Sequence, residues 1–231
     1  MPTQYLFFLI ILFVILIAVY KFGKLTLVGT LTGGLVAVCI FMGAGLRGIL
    51  MLAAFFIMAT IATSWKKDLK GKTHPEVRDA AQVLANGGIA ALFGLVIWLM
   101  PASGDLMQIL LASALSSATA DTLSSELGTV YGRRFYNITS FKPDEKGGNG
   151  VISLEGTFIG IAGSMVIALI YALFSGWSRE FCFIIIAGTA GNLLDSVLGA
   201  TLERSGYIKN NLVNFLNTIF AALVAYLLLL I

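Results

Sequence analysis

Two short runs hold the residues best suited to do chemistry. The first, S-S-A-T-A-D-T-L-S-S-E-L-G, carries Asp121, Ser125 and Glu126; the second, G-N-L-L-D-S, carries Asn192, Asp195 and Ser196. Both interrupt segments that are otherwise apolar. Hydroxyls and carboxylates at membrane depth cost several kcal/mol unless they meet a partner or a wet cavity, so such residues mark functional sites. In the second run Gly188, Asn192, Asp195, Ser196, Gly199 and Glu203 follow at intervals of 4, 3, 1, 3 and 4, which keeps them on one helical face. No Lys or Arg lies within these helices to neutralise the acids. A cation arriving from the aqueous side would, and carboxylate and amide oxygens select Mg²⁺ over zinc or copper.

A basic rim accompanies the acids. Arg133, Arg134, Lys142, Lys146, Arg204 and Lys209 fall in loops where they can hold anionic oxygens around such a cation. A glycine-rich wall, G-G-N-G with Gly148, Asn149 and Gly150, precedes Ser153 and the pair Glu155-Gly156. Acid at depth, base at the rim and glycine on one wall suit a Mg²⁺-bound polyphosphate. The glycine run is not a Walker A sequence, and a flexible hairpin between helices accounts for it equally well. Asn86-Gly87-Gly88, at the entry to another apolar run, reads either as a packing seam or as backbone amides offered to a phosphate at a helix N-terminus.

The elements that must position these residues are membrane helices. With 231 residues, 58% hydrophobic and 12% charged, and a mean hydropathy of +0.92, the chain is too apolar for an ordinary soluble domain. Apolar runs at 5–20, 25–42, 46–64, 83–100, 106–120, 157–174, 181–198 and 212–231 predict an all-α polytopic membrane protein of about eight spans. The first and fifth runs are short and must extend into their polar flanks. We expect one membrane domain over 1–231: scaffold helices at 1–64, the motif-bearing region at 65–216 and a last helix at 212–231. The first run has Lys21 and Lys24 after it and no basic residue before it, the reverse of a cleaved signal peptide, so it stays in the mature chain.

Charge orients the bundle. Thirteen basic residues (Lys21, Lys24, Lys66, Lys67, Lys70, Lys72, Arg78, Arg133, Arg134, Lys142, Lys146, Arg204 and Lys209) fall on one side and only Arg47 and Arg179 on the other. By the positive-inside rule the first side is cytosolic, both termini are external and the site faces the cytosol. The same bias explains the net charge of +3 without a nucleic-acid partner. At 1.5 Å per residue, Asp121 and Asp195 each lie about 21 to 22 Å from the outer ends of their runs. That is about 8 Å below the cytosolic surface of a core ~30 Å thick, a level that Asn86 reaches from the other direction. Cys39 and Cys182 sit in apolar runs and read as packing residues. His74, the single histidine, stands alone in a polar loop and argues against a histidine-based metal site.

The motifs carry a resemblance. Asp121-Thr122, Ser125-Glu126, Gly128 and Gly132-Arg133-Arg134, with Gly at plus 7 and plus 11 from the Asp, resemble the core signature of membrane CTP-dependent transferases, the phosphatidate cytidylyltransferases and polyprenol kinases. Glu155-Gly156 is similar to that group's later Glu-Gly pair, and G-N-L-L-D-S to its Gly-Asp-Leu-x-x-Ser motif. V-L-A-N-G-G, A-D-T-L-S-S-E-L-G, G-V-I-S-L-E-G-T and D-S-V-L-G-A-T resemble the uncharacterised-domain membrane family that contains the plant and cyanobacterial phytyl-phosphate kinases. The likeness runs from about Ala62 to Leu216.

That likeness implies phosphoryl transfer from CTP, or another nucleoside triphosphate, to a prenyl or phytyl monophosphate in the membrane. It implies Asp121, Asn192 and Asp195 as Mg²⁺ ligands and Asp121, Glu126 and Asp195 as the catalytic acids. Ser125, Arg133, Arg134 and Lys146 would hold phosphate, supported by Asn86, Gly87, Gly148, Asn149, Gly150, Ser153, Glu155 and Ser196. Two positions depart from the cytidylyltransferase pattern: Asn192 stands in place of Asp, and Gly199-Ala200 in place of Lys-Arg. Those departures argue against CDP-lipid synthesis. Nucleotidyl transfer to a lipid phosphate, and an ion-coupled transporter or flippase, remain the alternatives. The expected location is a bacterial-type inner membrane, with a plastid-type membrane left open. Lipid chain length, nucleotide base and oligomeric state are not encoded in recognisable motifs.

Overall fold

The computed structural model describes residues 3–70 and 77–231; Lys72 and His74 lie outside the described residues. Among the described residues, seven helices are long and apolar enough to cross a membrane. They are α1 (Thr3–Lys21), α2 (Leu27–Ser64), α3 (Ala80–Leu99), α4 (Gly104–Tyr131), α5 (Leu154–Ser175), α6 (Arg179–Leu198) and α7 (Asn210–Leu229). The fold is therefore all-α and polytopic, as the apolar runs predict.

The runs at 25–42 and 46–64 belong to one 38-residue element. A continuous helix of that length would reach about 57 Å, nearly twice the hydrocarbon core. It is broken at Gly45, whose φ of 59° and ψ of −146° only glycine adopts without strain. A Cβ placed on Gly48 would fall 2.6 Å from Ile40 Cγ2, two atoms that about eight residues of unbroken helix would hold roughly 12 Å apart. The second half of α2 thus folds back along the first, and the expected eight crossings are made by seven helices.

α4 is the axis of the bundle. It packs against α2, α3, α5, α6 and α7, and 72% of its apolar window is buried, against 28–39% for those neighbours. Its sequence explains the position, because L-A-S-A-L-S-S-A-T-A offers small side chains on every face and lets five helices approach closely. The α6 contact is the tightest: Cβ atoms on Gly188 and Gly191 would lie 2.1 Å from Ser116 Oγ and Ser117 Oγ. Ser116 Oγ donates to Ile184 O across this seam at 3.2 Å. α1 has no buried residue and packs on α2 through Phe8 stacked on Phe41 and Leu16 against Gly34, so it presents most of its apolar surface to lipid.

The connections differ between the two ends. At one end they are the break at Gly45, residues 100–103 and residues 176–178. At the other lie the described polar residues 22–26, 65–70, 77–79, 132–153 and 199–209, with β1 (Tyr136–Asn137) paired antiparallel with β2 (Val151–Ile152) inside 132–153. Arg47 packs on Tyr171 and hydrogen-bonds Ser175 at the first end, where Arg179 also opens α6. The remaining described basic residues gather at the second.

α2 and α3 meet backbone to backbone at Gly43 and Gly94, where a Cβ on Gly94 would stand 2.5 Å from Cys39 O. Gly94→Ala should force these helices apart and destabilise the protein by about 1–3 kcal/mol, read as a lowered thermal midpoint in detergent.

Candidate functional site

At the polar end, α3, α4, α5, α6 and α7 enclose a cavity of about 200 Å³. Asp121 and Asp195 both line it, their carboxyls within hydrogen-bonding reach of each other. Asn217 Nδ2 donates to Asp195 Oδ1 at 2.8 Å, and Ser117 Oγ donates to Asn217 Oδ1 at 3.1 Å, so α4 and α7 together aim the α6 carboxyl. Ser124 Oγ donates to Asn192 Oδ1 at 2.8 Å, fixing that amide beside them. None of the ion pairs among the described residues involves Asp121 or Asp195. Facing carboxyls repel unless a cation or a proton lies between them.

The donor set suits a hard cation. No group of three or more His, Cys, Asp or Glu able to hold a metal occurs among the described residues. Mg²⁺, however, is commonly held by one or two carboxylates with substrate phosphates and water completing the octahedron. Asn86, on the α3 wall, adds a second sign: its Nδ2 donates to Gln82 O at 3.0 Å while its Oδ1 is buried with no hydrogen-bond partner. A buried acceptor without a donor is costly, and a cation or its water shell would satisfy it.

The glycine run is pinned in place. Gly147 and Gly150 have φ of 77° and 71°, and a Cβ on Gly150 would lie 2.2 Å from Ala200 N. Ala200 belongs to a π-helical turn, Gly199–Glu203, that ends α6 and carries Glu203 to the cavity wall. Arg204 Nη1 donates to Asp144 Oδ2 at 2.7 Å and ties the hairpin to the same turn. That bond first, then the Glu145 N–H, holds the Asp144 carboxyl below the usual range. Ser153 caps α5, its Oγ accepting from Gly156 N at 3.1 Å. The first turns of α5 and α7 line the cavity, as does Gln82 near the start of α3. The positive dipole ends of those helices therefore face it.

Of the residues expected at the site, Asn86, Asp121, Ser125, Glu126, Gly148, Asn149, Gly150, Ser153, Asn192, Asp195 and Ser196 line this one cavity. Gly87, Arg133, Arg134, Lys146 and Glu155 do not. Gly87 packs on Val36 of α2, so Asn86-Gly87 is seam on one face and cavity wall on the other. Arg133 has an 89% exposed side chain, 4.0 Å from Glu155 Oε1, and stands at the rim. Glu126 is already engaged: Lys70 Nζ lies 2.8 Å from Oε2, with side chains only 6% and 11% exposed.

Sequence reasoning passed over Lys70 and Arg78 as ordinary loop cations. Arg78 lines the cavity and donates to Thr63 Oγ1 at 3.0 Å; burial lowers its pKa, opposed by the nearby Glu126 charge. It also passed over Asn210, Asn214 and Asn217, although their spacing of 4 and 3 in N-N-L-V-N-F-L-N-T marks one helical face.

Two outcomes follow. Lys70→Met leaves Glu126 buried and uncompensated and should cost about 3–5 kcal/mol, with Lys70→Met/Glu126→Gln recovering part of it in thermal unfolding. Because the folded pKa of Asp144 lies below its unfolded value of about 3.9, the hairpin clasp is complete above about pH 4 and is lost as pH falls through the depressed value. Hydrogen exchange of residues 136–152 should show this acid release, and Arg204→Gln should abolish its pH dependence.

The profile of an integral membrane protein family, DUF92, matches residues 10–222. The chain is 34% identical over 186 residues to the uncharacterized membrane protein MJ0933 of Methanocaldococcus jannaschii, covering 79% of this chain and 76% of that one. It is 30% identical over 196 residues to the uncharacterized membrane protein sll0875 of Synechocystis, covering 81% and 76%. Protein VTE6, chloroplastic, of Arabidopsis thaliana is 29% identical over 197 residues, covering 79% of this chain and 59% of that protein. No solved structure matches the chain.

Proposed function

The chain belongs to the DUF92 family of integral membrane proteins, and from that premise we propose that it transfers the γ-phosphoryl group of CTP, or another nucleoside triphosphate, to a prenyl or phytyl monophosphate. One observation carries the reading: Asp121 and Asp195 face each other with no ion-pair partner among the described residues, beside the orphaned Asn86 oxygen. An arrangement that a cation would neutralise and that is walled by helix N-termini suits a divalent metal together with phosphates. The resemblance to phytyl-phosphate kinases supplies the acceptor class.

In this reading Asp121, Asp195 and Asn192 would hold Mg²⁺. When bound, the ion supplies neutralisation of charge on the transferring phosphoryl oxygens. Asn86 completes the polar wall, while the Gly148–Gly150 backbone and the first turn of α5 receive phosphate oxygens. Arg78 adds positive charge from the α3 side. The nucleoside base lies toward the loops and the prenyl tail in the bilayer. The acceptor phosphate is already ionised, and its oxygen forms the new bond to the γ-phosphorus as the bond to the nucleoside diphosphate breaks. No general base is needed; the acids position and neutralise. Arg133, Arg134 and Lys146 act from the rim, attracting the anionic substrates.

Purified protein with Mg²⁺, CTP or ATP, and phytyl or geranylgeranyl monophosphate should yield the isoprenoid diphosphate and nucleoside diphosphate in equal amounts. Release of pyrophosphate instead would redirect the assignment to nucleotidyl transfer. Asp121→Asn and Asp195→Asn should each lower kcat by about 10²–10³-fold in folded protein; full activity in Asp121→Ala overturns the proposal.

A further inference from the structure

The seam between α5 and α6 is tight away from the polar end and parts beside the acids. A Cβ on Gly188 would lie 2.6 Å from Ser164 Oγ, and one on Gly160 would lie 2.8 Å from Asn192 Nδ2, so the two helices touch at both levels. Continuing toward the polar end, intervals of 4 and 3 from Ser164 reach Thr157 on the facing side of α5, and intervals of 4 and 4 from Gly188 reach Ser196 on that of α6. Both of these residues line the cavity. Each hydroxyl is turned back onto its own helix: Thr157 Oγ1 donates to Ser153 O at 3.0 Å and Ser196 Oγ to Asn192 O at 3.3 Å.

Leu193 marks where this gap comes out. Of the described residues that line the cavity, Ser125, Gly147, Asn149, Leu193 and Asn210 are also exposed, and Leu193 alone among them carries a large apolar side chain. It is 38% exposed although Asp195 is only two residues away. Val197 follows one turn along the same outer face of α6, and Leu154 and Phe158, on either side of Thr157 in the chain, are exposed on α5. Both helices are long and apolar enough to cross a membrane, so these side chains meet hydrocarbon. The α3 and α7 walls differ: they offer Gln82, Asn86, Asn210 and Asn214, and an apolar chain laid over such amides would leave them without partners. A polar cavity with an apolar side exit has the form of an amphiphile with an anionic head.

We propose that the gap between Thr157 and Ser196 is the lateral entrance through which the apolar chain of the acceptor extends into the bilayer while its phosphate stays in the cavity. Leu193 and Val197 pack on the chain from α6 and Phe158 from α5, and this burial favours acceptors with a long apolar tail over short ones. The inference rests on the reading of the cavity as a lipid-phosphate site and adds the face of the bundle that admits the lipid and the residues that measure its chain.

A geranylgeranyl monophosphate carrying a diazirine in mid-chain is photolysed on wild-type protein in phosphatidylcholine nanodiscs without nucleotide, and the labelled peptides are identified by mass spectrometry. Label should fall within residues 154–158 and 193–197 and be displaced by unmodified geranylgeranyl monophosphate. In turnover with CTP and Mg²⁺, Leu193→Trp should raise KM for geranylgeranyl monophosphate at constant kcat and lower the preference for it over dimethylallyl monophosphate about tenfold. Leu173→Trp, at the far end of α5 on its exposed surface, should alter neither. Displaceable label at the seam in a protein that forms no diphosphate keeps the entrance and overturns the reaction. Diphosphate formed with displaceable label on other helices, or with chain preference undiminished in Leu193→Trp, overturns the entrance and keeps the reaction. Absence of any displaceable label overturns the entrance as well.

Discussion

Two carboxyls brought face to face at the depth of the bilayer core are the constraint on which the remaining structure depends. Asp121 comes from the central helix and Asp195 from its neighbour, and nothing basic reaches either among the described residues. Bringing them together requires α4 and α6 to pack almost backbone to backbone, which the serines of one and the glycines of the other permit. Holding them in orientation requires the relay from Ser117 through Asn217 to Asp195, and hence the polar face of α7. The helix N-termini that line the cavity turn positive dipole ends toward them. The small-residue axis, the amide relay and the cavity answer one electrostatic demand.

The parts legible in the sequence are those whose cost is local. Asp121 and Asp195 declare themselves because a carboxylate in an apolar run is expensive whatever the fold, and the intervals from Gly188 to Glu203 read as a face without knowledge of a partner. The common depth of Asp121, Asp195 and Asn86 follows from helix rise alone, and all three line one cavity. The halves of α2 are legible as separate spans through Gly43, Gly45 and Gly48, although the reversal itself depends on a backbone angle that no pattern prints.

What escaped notice depends on distant pairing. Lys70 and Glu126 are 56 residues apart and become an ion pair only when the segment after α2 closes over α4. Arg78 looks like any loop cation until Thr63 and the cavity wall surround it. The asparagines of α7 are too mild to disturb a hydropathy count, so a polar face was taken for a plain span. Arg133, Arg134 and Lys146 stand just outside the cavity, because chain proximity to a motif does not determine which way a long side chain points. The glycine run had two readings, and the fold separates them: pressed against the π-helical turn and clasped through Arg204 and Asp144, it is a shaped wall rather than a loose link.

The inequality of the two ends has a consequence for traffic. At one end the described chain turns at a single glycine and in two segments of only a few residues, leaving almost no surface for a water-borne molecule to recognise. At the other, the cavity, the pinned hairpin and the basic residues lie together. The protein is therefore polarised like an electrode: any soluble reactant arrives and leaves through a single aqueous compartment. Under the proposed function the bilayer would be the second phase that delivers and collects material, with the opposite compartment a spectator.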